Sequence, residues 1–153
     1  WVLLEMPFGA LPARLPDLLA GLGAAGLRTL VAHPERCAAF QRDPCLLDRF
    51  FPVDVPLQIT AGSLMGRFGP AARKCALQMV RTPHPIVVAS DAHDPLLRAP
   101  VLSEAVEVLE PLMGEVPARH TVDALPRALL SGGDAWRPPD EPQKRRWWGR
   151  LAP

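Results

Sequence analysis

Four side chains that can bind a metal ion lie at or just after the ends of short apolar runs. These are Glu5, His33, Asp91 and His93. Carboxylates and imidazoles suit Zn, Mn and Fe, because these metals accept both oxygen and nitrogen donors. A single histidine or aspartate after a strand is more often a structural hydrogen-bonding residue or a helix cap. It is the joint placement of the four that predicts a divalent metal centre.

Two arginines stand close to these residues in the sequence. Arg36 comes three residues after His33, and Arg98 comes seven residues after Asp91. A guanidinium beside a metal centre suits a phosphate group, because its fork of N–H donors matches the phosphate oxygens and its charge is permanent. A surface salt bridge is the alternative interpretation of each arginine.

The apolar runs are predicted to be short buried strands that alternate with helices. The predicted strands are residues 1–4, 29–32, 57–60 and 86–89. The predicted helices are residues 12–25, one or two short helices in 35–51, and residues 71–81, 102–113 and 121–130. This alternation predicts an α/β fold of parallel strands with helices on both faces, either a barrel or an open sheet. Such folds carry their chemistry at the carboxyl ends of the strands.

Three further polar residues are predicted to be structural. Ser63 is expected to cap a helix that continues past Gly66 and Gly69 into residues 71–81. Neither glycine belongs to a phosphate-binding loop of the G-x-x-x-x-G-K-[ST] type, so a tight turn and a helix start explain them better. His84 and His120 are expected to be surface or capping residues.

Composition indicates one ordinary globular domain. The chain has 153 residues, of which 48% are hydrophobic and 22% are charged, and its net charge is +1. This charge balance argues against nucleic acid as a partner. The three cysteines have no C-x-x-C spacing, which favours a reducing, cytoplasmic location over a disulfide framework or a zinc ribbon. No apolar run approaches the ~18 residues that a membrane-spanning helix needs.

Four segments in the same order resemble a known family over roughly residues 1–130. They are LLEMP at 3–7, VAHPER at 31–36, QITAGSLMGRFG at 58–69 and ASDAH at 89–93, with RAP at 98–100 behind them. Together they resemble the capsular-polysaccharide tyrosine phosphatases of the polymerase-and-histidinol-phosphatase superfamily.

The resemblance implies a distorted (β/α)7 barrel with a cluster of divalent metal ions, most commonly manganese, with iron or zinc as alternatives. It implies hydrolysis of phosphotyrosine on an autophosphorylating bacterial tyrosine kinase that controls capsule or exopolysaccharide synthesis. The matching metal ligands are Glu5, His33, Asp91 and His93, and the matching phosphate-contacting residues are Arg36 and Arg98. Activation of water by the metal needs no cysteine nucleophile.

The resemblance covers only the C-terminal part of that family's pattern. The family begins with a His-x-His strand that has no equivalent here, so residues 1–131 are expected to be the C-terminal part of a phosphatase domain. The 153-residue chain by itself is then expected to bind metal weakly and to have little activity. Residues 132–153 form a tail rich in Pro, Arg and Trp, which is either solvated or contacts an anionic membrane surface or a partner.

Two other functions remain open from the sequence. One is the histidinol-phosphate phosphatase branch of the same superfamily, which acts on a small molecule. The other is a non-catalytic barrel remnant that binds a partner. Retention of all four metal-binding candidates and both arginines argues against the second. The oligomeric state is not predicted.

Overall fold

A parallel sheet of four strands lies at the centre of the molecule. The computed structural model describes residues 1–96 and 99–133. The strands are β1 (Val2–Glu5), β2 (Thr29–Ala32), β3 (Leu57–Thr60) and β4 (Ile86–Ala89), and they are hydrogen-bonded in the order β1-β2-β3-β4. Every neighbouring pair is parallel. The predicted α/β architecture is therefore confirmed, and each predicted strand lies within one residue of the observed one.

Helices and turns connect and follow the strands. They are α1 (Leu15–Ala24), a 3-10 turn (Pro34–Arg36), α2 (Ala38–Arg42), α3 (Leu46–Phe50), α4 (Ala61–Leu64), α5 (Gly69–Met79), α6 (Ser103–Met113), α7 (Glu115–Val122) and α8 (Ala124–Leu130). None of the helices in the described part of the chain is long and apolar enough to cross a membrane. Arg98 and the tail from residue 134 onward lie outside the described residues.

The two faces of the sheet are covered differently. Leu4, Val31 and Leu57 are register partners on one face, where they join the main core with side chains from seven of the helices. On the opposite face, α8 packs Leu125 and Leu129 against Val87 and Leu30. Helices therefore lie on both faces, as predicted. Burial of this apolar area is the main stabilising term of the fold.

The strand order never reverses along the sheet. Because crossovers between parallel strands are almost always right-handed, an order without a reversal carries the connecting helices to one face. At the amino-terminal edge of the strands, Arg28 donates to the carbonyl oxygens of Gly132 and Gly133 at 2.7 and 3.1 Å. These hydrogen bonds hold the end of α8 near the start of β2. The opposite, carboxyl edge of the strands is left for the site residues.

The prediction of one continuous helix beginning at Ser63 is wrong, because the chain forms two helices there, α4 and α5. Ser63 lies inside α4, and its hydroxyl donates to Glu35 at 2.6 Å instead of capping a helix. Gly66 and Gly69 have φ of +81° and +89°, a left-handed backbone that ends one helix and begins the next. The predicted helix at 121–130 likewise proves to be α8 preceded by α7, which begins after Gly114 at φ +90°.

His84 is not a surface residue as predicted. Its side chain is buried, its Nδ1 lies 2.9 Å from the carbonyl oxygen of Val55, and its Nε2 lies 3.5 Å from Asp48 Oδ1. The proline residues on either side of it hold it in a turn between α5 and β4, where it packs into the core. His120 is exposed on α7, in agreement with the prediction.

Candidate metal and phosphate site

The predicted site residues follow three strands at one edge of the sheet. Glu5 is the last residue of β1, His33 directly follows β2, and Asp91 comes two residues after β4. Because all strands run in the same direction, these positions meet at the carboxyl edge.

His33 and Glu5 form the first pair at this edge. Their Nε2 and Oε1 atoms are 3.4 Å apart. The His33 ring is buried, whereas the Glu5 side chain is 61% exposed. The Phe8 ring stacks on the His33 ring with the centroids 5.9 Å apart and the planes 28° from parallel. One nitrogen and two carboxylate oxygens are thus presented together at the open rim.

Arg36, Asp91 and His93 form the second group. Arg36 Nη1 donates to Asp91 Oδ2 at 3.0 Å, and both side chains are largely buried, at 17% and 13% exposure. The His93 Nδ1 lies 2.9 Å from the backbone carbonyl of Asp91 and 3.7 Å from its carboxylate. The pair between Arg36 and Asp91 joins residues 55 positions apart in the sequence.

Phe8 connects the two groups. Besides stacking on His33, its ring centroid lies 4.7 Å from the Arg36 guanidinium carbon. The Phe68 ring lies 4.3 Å from the same carbon. Phe8 is held in this position by its backbone, whose carbonyl oxygen accepts a 2.7 Å hydrogen bond from Ala38 N–H. A continuous set of contacts therefore runs from His33 to Asp91.

The backbone is strained at two of the four proposed donors. His33 and Asp91 have φ of 31° and 52°, and they are the described non-glycine residues with positive φ. Such a conformation costs roughly 1–3 kcal/mol per residue and is found mainly at functional sites. At His33 it leads straight into the Pro34–Arg36 turn, in which Arg36 N–H donates to His33 O at 3.0 Å. The turn brings Arg36 back to the same edge as His33.

The nitrogen and oxygen donors are of the kind that bind a divalent metal, but each of the two groups contains only two candidate ligands. Within residues 1–96 and 99–133, no three His, Cys, Asp or Glu side chains come together around one point. Glu5 pairs with His33, and Asp91 pairs with His93. A catalytic metal usually takes three protein ligands, so neither pair by itself makes up such a site.

Glu35 is an important residue of this region that the sequence reasoning did not single out. It is fully buried, and its Oε1 accepts hydrogen bonds from Ser63 Oγ at 2.6 Å and from Thr60 N–H at 3.0 Å. Desolvation by burial raises the pKa of Glu35 to about 7, and these hydrogen bonds oppose the shift. The signal in the sequence was a glutamate enclosed between His33-Pro34 and Arg36, in a turn directly after a buried strand.

Comparison with known proteins finds a matching family model and similar sequences. Residues 1–131 match the family model described as Capsular polysaccharide synthesis, CpsB/CapC. The tyrosine-protein phosphatase YwqE of Bacillus subtilis is 35% identical over 147 residues, which is 95% of this chain and 57% of that protein. The putative tyrosine-protein phosphatase CapC of Staphylococcus aureus is 36% identical over 93 residues, which is 61% of this chain and 36% of that protein.

A solved structure is also similar. It comes from crystal structures of YwqE from Bacillus subtilis and CpsB from Streptococcus pneumoniae, described as unique metal-dependent tyrosine phosphatases. The TM-score is 0.78 at 32% identity, and the match covers 92% of this chain and 57% of the solved one. The match thus covers little more than half the length of YwqE and of the solved chain, and about a third of CapC.

Proposed function

This chain belongs to the CpsB/CapC family of capsular polysaccharide synthesis proteins, and from that premise we propose that it is part of a metal-dependent phosphatase that hydrolyses phosphotyrosine on a protein. The observation that carries the proposal is the ion pair between Arg36 and Asp91, at 3.0 Å. It joins the predicted phosphate-binding arginine to a predicted metal ligand. The names of the relatives, tyrosine phosphatases described as metal-dependent, support the same activity.

The proposed metal ligands are Glu5, His33, Asp91 and His93. The ion is proposed to be manganese, with iron or zinc as alternatives, since oxygen and nitrogen donors suit all three. When bound, the metal supplies Lewis-acid stabilisation of the phosphoryl oxygens and makes a hydrolytic water more acidic. Because the donors lie in pairs, we propose that further ligands come from sequence that the longer relatives have and these 153 residues do not include.

Arg36 is proposed to bind the phosphoryl oxygens, together with Arg98. The Arg36 side chain is 17% exposed, so its charge acts in a partly desolvated place where electrostatic interactions are stronger than in water. Its hydrogen bond to Asp91 orients the guanidinium before a substrate arrives. A charge held in this way stabilises the negative charge that develops on the phosphoryl oxygens during transfer.

The finer structural and cellular assignments follow from the family. Residues 1–131 are proposed to be the C-terminal part of a distorted (β/α)7 barrel, which the non-reversing order of the parallel strands supports. The substrate is proposed to be an autophosphorylating bacterial tyrosine kinase in the cytoplasm. Residues 132–153 are proposed to be a tail that is either solvated or in contact with an anionic membrane surface or a partner.

The test compares substrates and arginine variants in the protein as its gene encodes it, supplied with Mn²⁺. We expect hydrolysis of a phosphotyrosine peptide to be much faster than hydrolysis of histidinol phosphate. Arg36→Met is expected to lower kcat/KM for the peptide by roughly 100-fold or more, the usual loss of one charge-stabilising donor. Arg42→Met, a change at an exposed arginine on α2, is the matched control and is expected to leave the rate unchanged.

Two outcomes would overturn this function. Faster hydrolysis of histidinol phosphate than of the peptide would assign the protein to the small-molecule branch. If neither substrate is hydrolysed and elemental analysis finds no bound metal, the protein would be a non-catalytic binding module. Equal losses in Arg36→Met and Arg42→Met would remove Arg36 from the site.

The proposal of an incomplete metal site has its own test. The 153-residue chain is titrated with Mn²⁺, and the free ion is measured by electron paramagnetic resonance. We expect only weak binding, because each pair offers few donors. A fusion of this chain with the part of YwqE that lies outside the match should bind Mn²⁺ tightly. Tight binding by the 153-residue chain alone would contradict the proposal.

A further inference from the structure

Two aromatic rings contact the guanidinium of Arg36. Its central carbon lies 4.7 Å from the centroid of the Phe8 ring and 4.3 Å from the centroid of the Phe68 ring. Both distances are within the ~6 Å range of a cation–π contact, which is strongest where water is excluded. The same guanidinium donates from Nη1 to Asp91 Oδ2 at 3.0 Å.

Phe68 reaches Arg36 because of the glycines around it. A Cβ atom added to Gly62 would lie 2.8 Å from Phe68 Cε2, so the ring packs directly on the backbone of α4. The connection between α4 and α5 reverses direction at Gly66, φ +81°, and Gly69, φ +89°. It is closed by hydrogen bonds from Arg67 N–H to Gly62 O at 2.8 Å and from Gly69 N–H to Gly66 O at 3.0 Å.

We infer that Phe68 is a positioning residue for the phosphate-binding arginine, and that Gly62 is the residue that lets it reach that arginine. The inference rests on the proposed function, in which Arg36 binds the phosphoryl group. It explains why a glycine-rich turn without phosphate-loop geometry lies beside the site: the turn presents an aromatic ring to Arg36, and Phe8, in the segment after β1, supplies a second ring.

The physical reason is preorganisation. An arginine side chain has many rotamers, and a ligand that binds a mobile guanidinium must immobilise it. Contacts with two rings and with Asp91 restrict the guanidinium before the ligand binds, so more of the interaction is retained as affinity. The Phe68 side chain is an uncharged hydrocarbon that cannot hydrogen-bond to phosphate, so we expect its effect on phosphate binding to pass through Arg36.

A double-mutant cycle tests this dependence in the protein as its gene encodes it, loaded with Mn²⁺. The probe is inorganic phosphate, with its affinity measured by isothermal titration calorimetry. Phe68→Leu is expected to weaken binding roughly five- to thirtyfold, the value of one cation–π contact in a partly desolvated site. In an Arg36→Met background the same change is expected to have almost no effect, because the group it positions is gone.

Matched variants separate positioning from general damage to the fold. Phe68→Tyr keeps the ring face and should retain phosphate affinity near that of the natural protein. Phe50→Leu, the same exchange at a partly buried residue on α3, should leave phosphate affinity unchanged. Gly62→Ala should weaken phosphate binding in the same direction as Phe68→Leu, because the added methyl group must displace the ring.

A second readout does not depend on catalysis or on the metal. In the metal-free protein, ¹⁵N relaxation of the Arg36 Nε–H group reports its motion on the picosecond-to-nanosecond scale. We expect a restricted group in the natural protein and a mobile one in Phe68→Leu and in Gly62→Ala. If either variant does not fold, the other provides the test.

The outcomes distinguish this inference from the function on which it rests. Unchanged phosphate affinity and unchanged Arg36 mobility in the Phe68 and Gly62 variants would overturn the inference, provided that Arg36→Met still weakens binding. An equal loss from Phe68→Leu in the presence and absence of Arg36 would also overturn it. If Arg36→Met itself leaves phosphate affinity unchanged, it is the proposed function that fails.

Discussion

The Glu35 carboxyl group should make the stability of the fold depend on pH in an unusual direction. Burial raises the pKa of Glu35 from 4.5 to about 7 in the folded protein. The unfolded chain exposes this group to water, so its pKa returns to about 4.5. Between these two values the folded protein holds a proton that the unfolded chain has lost.

The sign follows from this difference in bound protons. Because the folded state binds more protons, the free energy of unfolding falls as pH rises. The favourable contribution is fully present below pH 4.5, declines through the window from 4.5 to 7, and is absent above about pH 7. A shift from 4.5 to about 7 corresponds to roughly 3 kcal/mol at about 1.4 kcal/mol per pH unit.

Glu35→Gln removes the titrating group and keeps an oxygen that can accept the hydrogen bonds from Ser63 and Thr60. The free energy of unfolding of this variant, minus that of the natural protein, should therefore increase by roughly 3 kcal/mol between pH 4.5 and pH 8. The measurement is urea unfolding at a series of pH values, with a chelator present so that metal binding makes no contribution. Glu107→Gln, at an exposed position on α6, is the control.

A flat difference across this pH range would refute the reasoning. It would mean that Glu35 is ionised in the folded protein, and that hydrogen bonds or access to water outweigh the desolvation of its carboxylate. A slope of the same size in Glu107→Gln would show that the effect does not belong to the buried site. A difference that decreases with rising pH would mean that the folded state favours the charged form.

Three further predictions concern the fold. Gly66→Ala should lower the free energy of unfolding by roughly 1–2 kcal/mol, because φ is +81° there. Gly23→Ala, inside α1, should instead raise it by up to about 1 kcal/mol. Urea unfolding measures both changes, and equal effects would contradict the turn assigned at Gly66. Phe40→Ala, at a fully buried ring, should cost roughly 3–5 kcal/mol in the same assay, and a loss below about 1 kcal/mol would place it outside the core. Cys75 is buried, and desolvation raises the pKa of its thiol to about 12. Iodoacetamide at pH 8 should therefore alkylate the exposed Cys45 before Cys75, as measured by peptide mass spectrometry. The reverse order would contradict the packing of α5.

The strands were predictable from the sequence because a parallel strand covered on both faces is a short, continuous apolar run. Ile86–Ala89 is such a run, and its predicted bounds coincide with β4. The boundary between α4 and α5 was not predictable by the same logic. The apolar pattern continues across Gly66 and Gly69, and only their positive φ separates the two helices. His84 was misjudged because prolines beside a histidine indicate a turn but do not indicate whether the turn is buried.

The sequence by itself determined which chemical groups follow the strands, and therefore which edge of the sheet carries them. This follows because strands that alternate with helices are expected to run parallel, so the residues that follow them share one edge. Only the tertiary structure decided that Arg36 meets Asp91, that two rings contact its guanidinium, and that Glu35 is buried with a raised pKa. These features depend on distances between residues far apart in the chain and on the exclusion of water. Neither is encoded in the spacing of neighbouring residues.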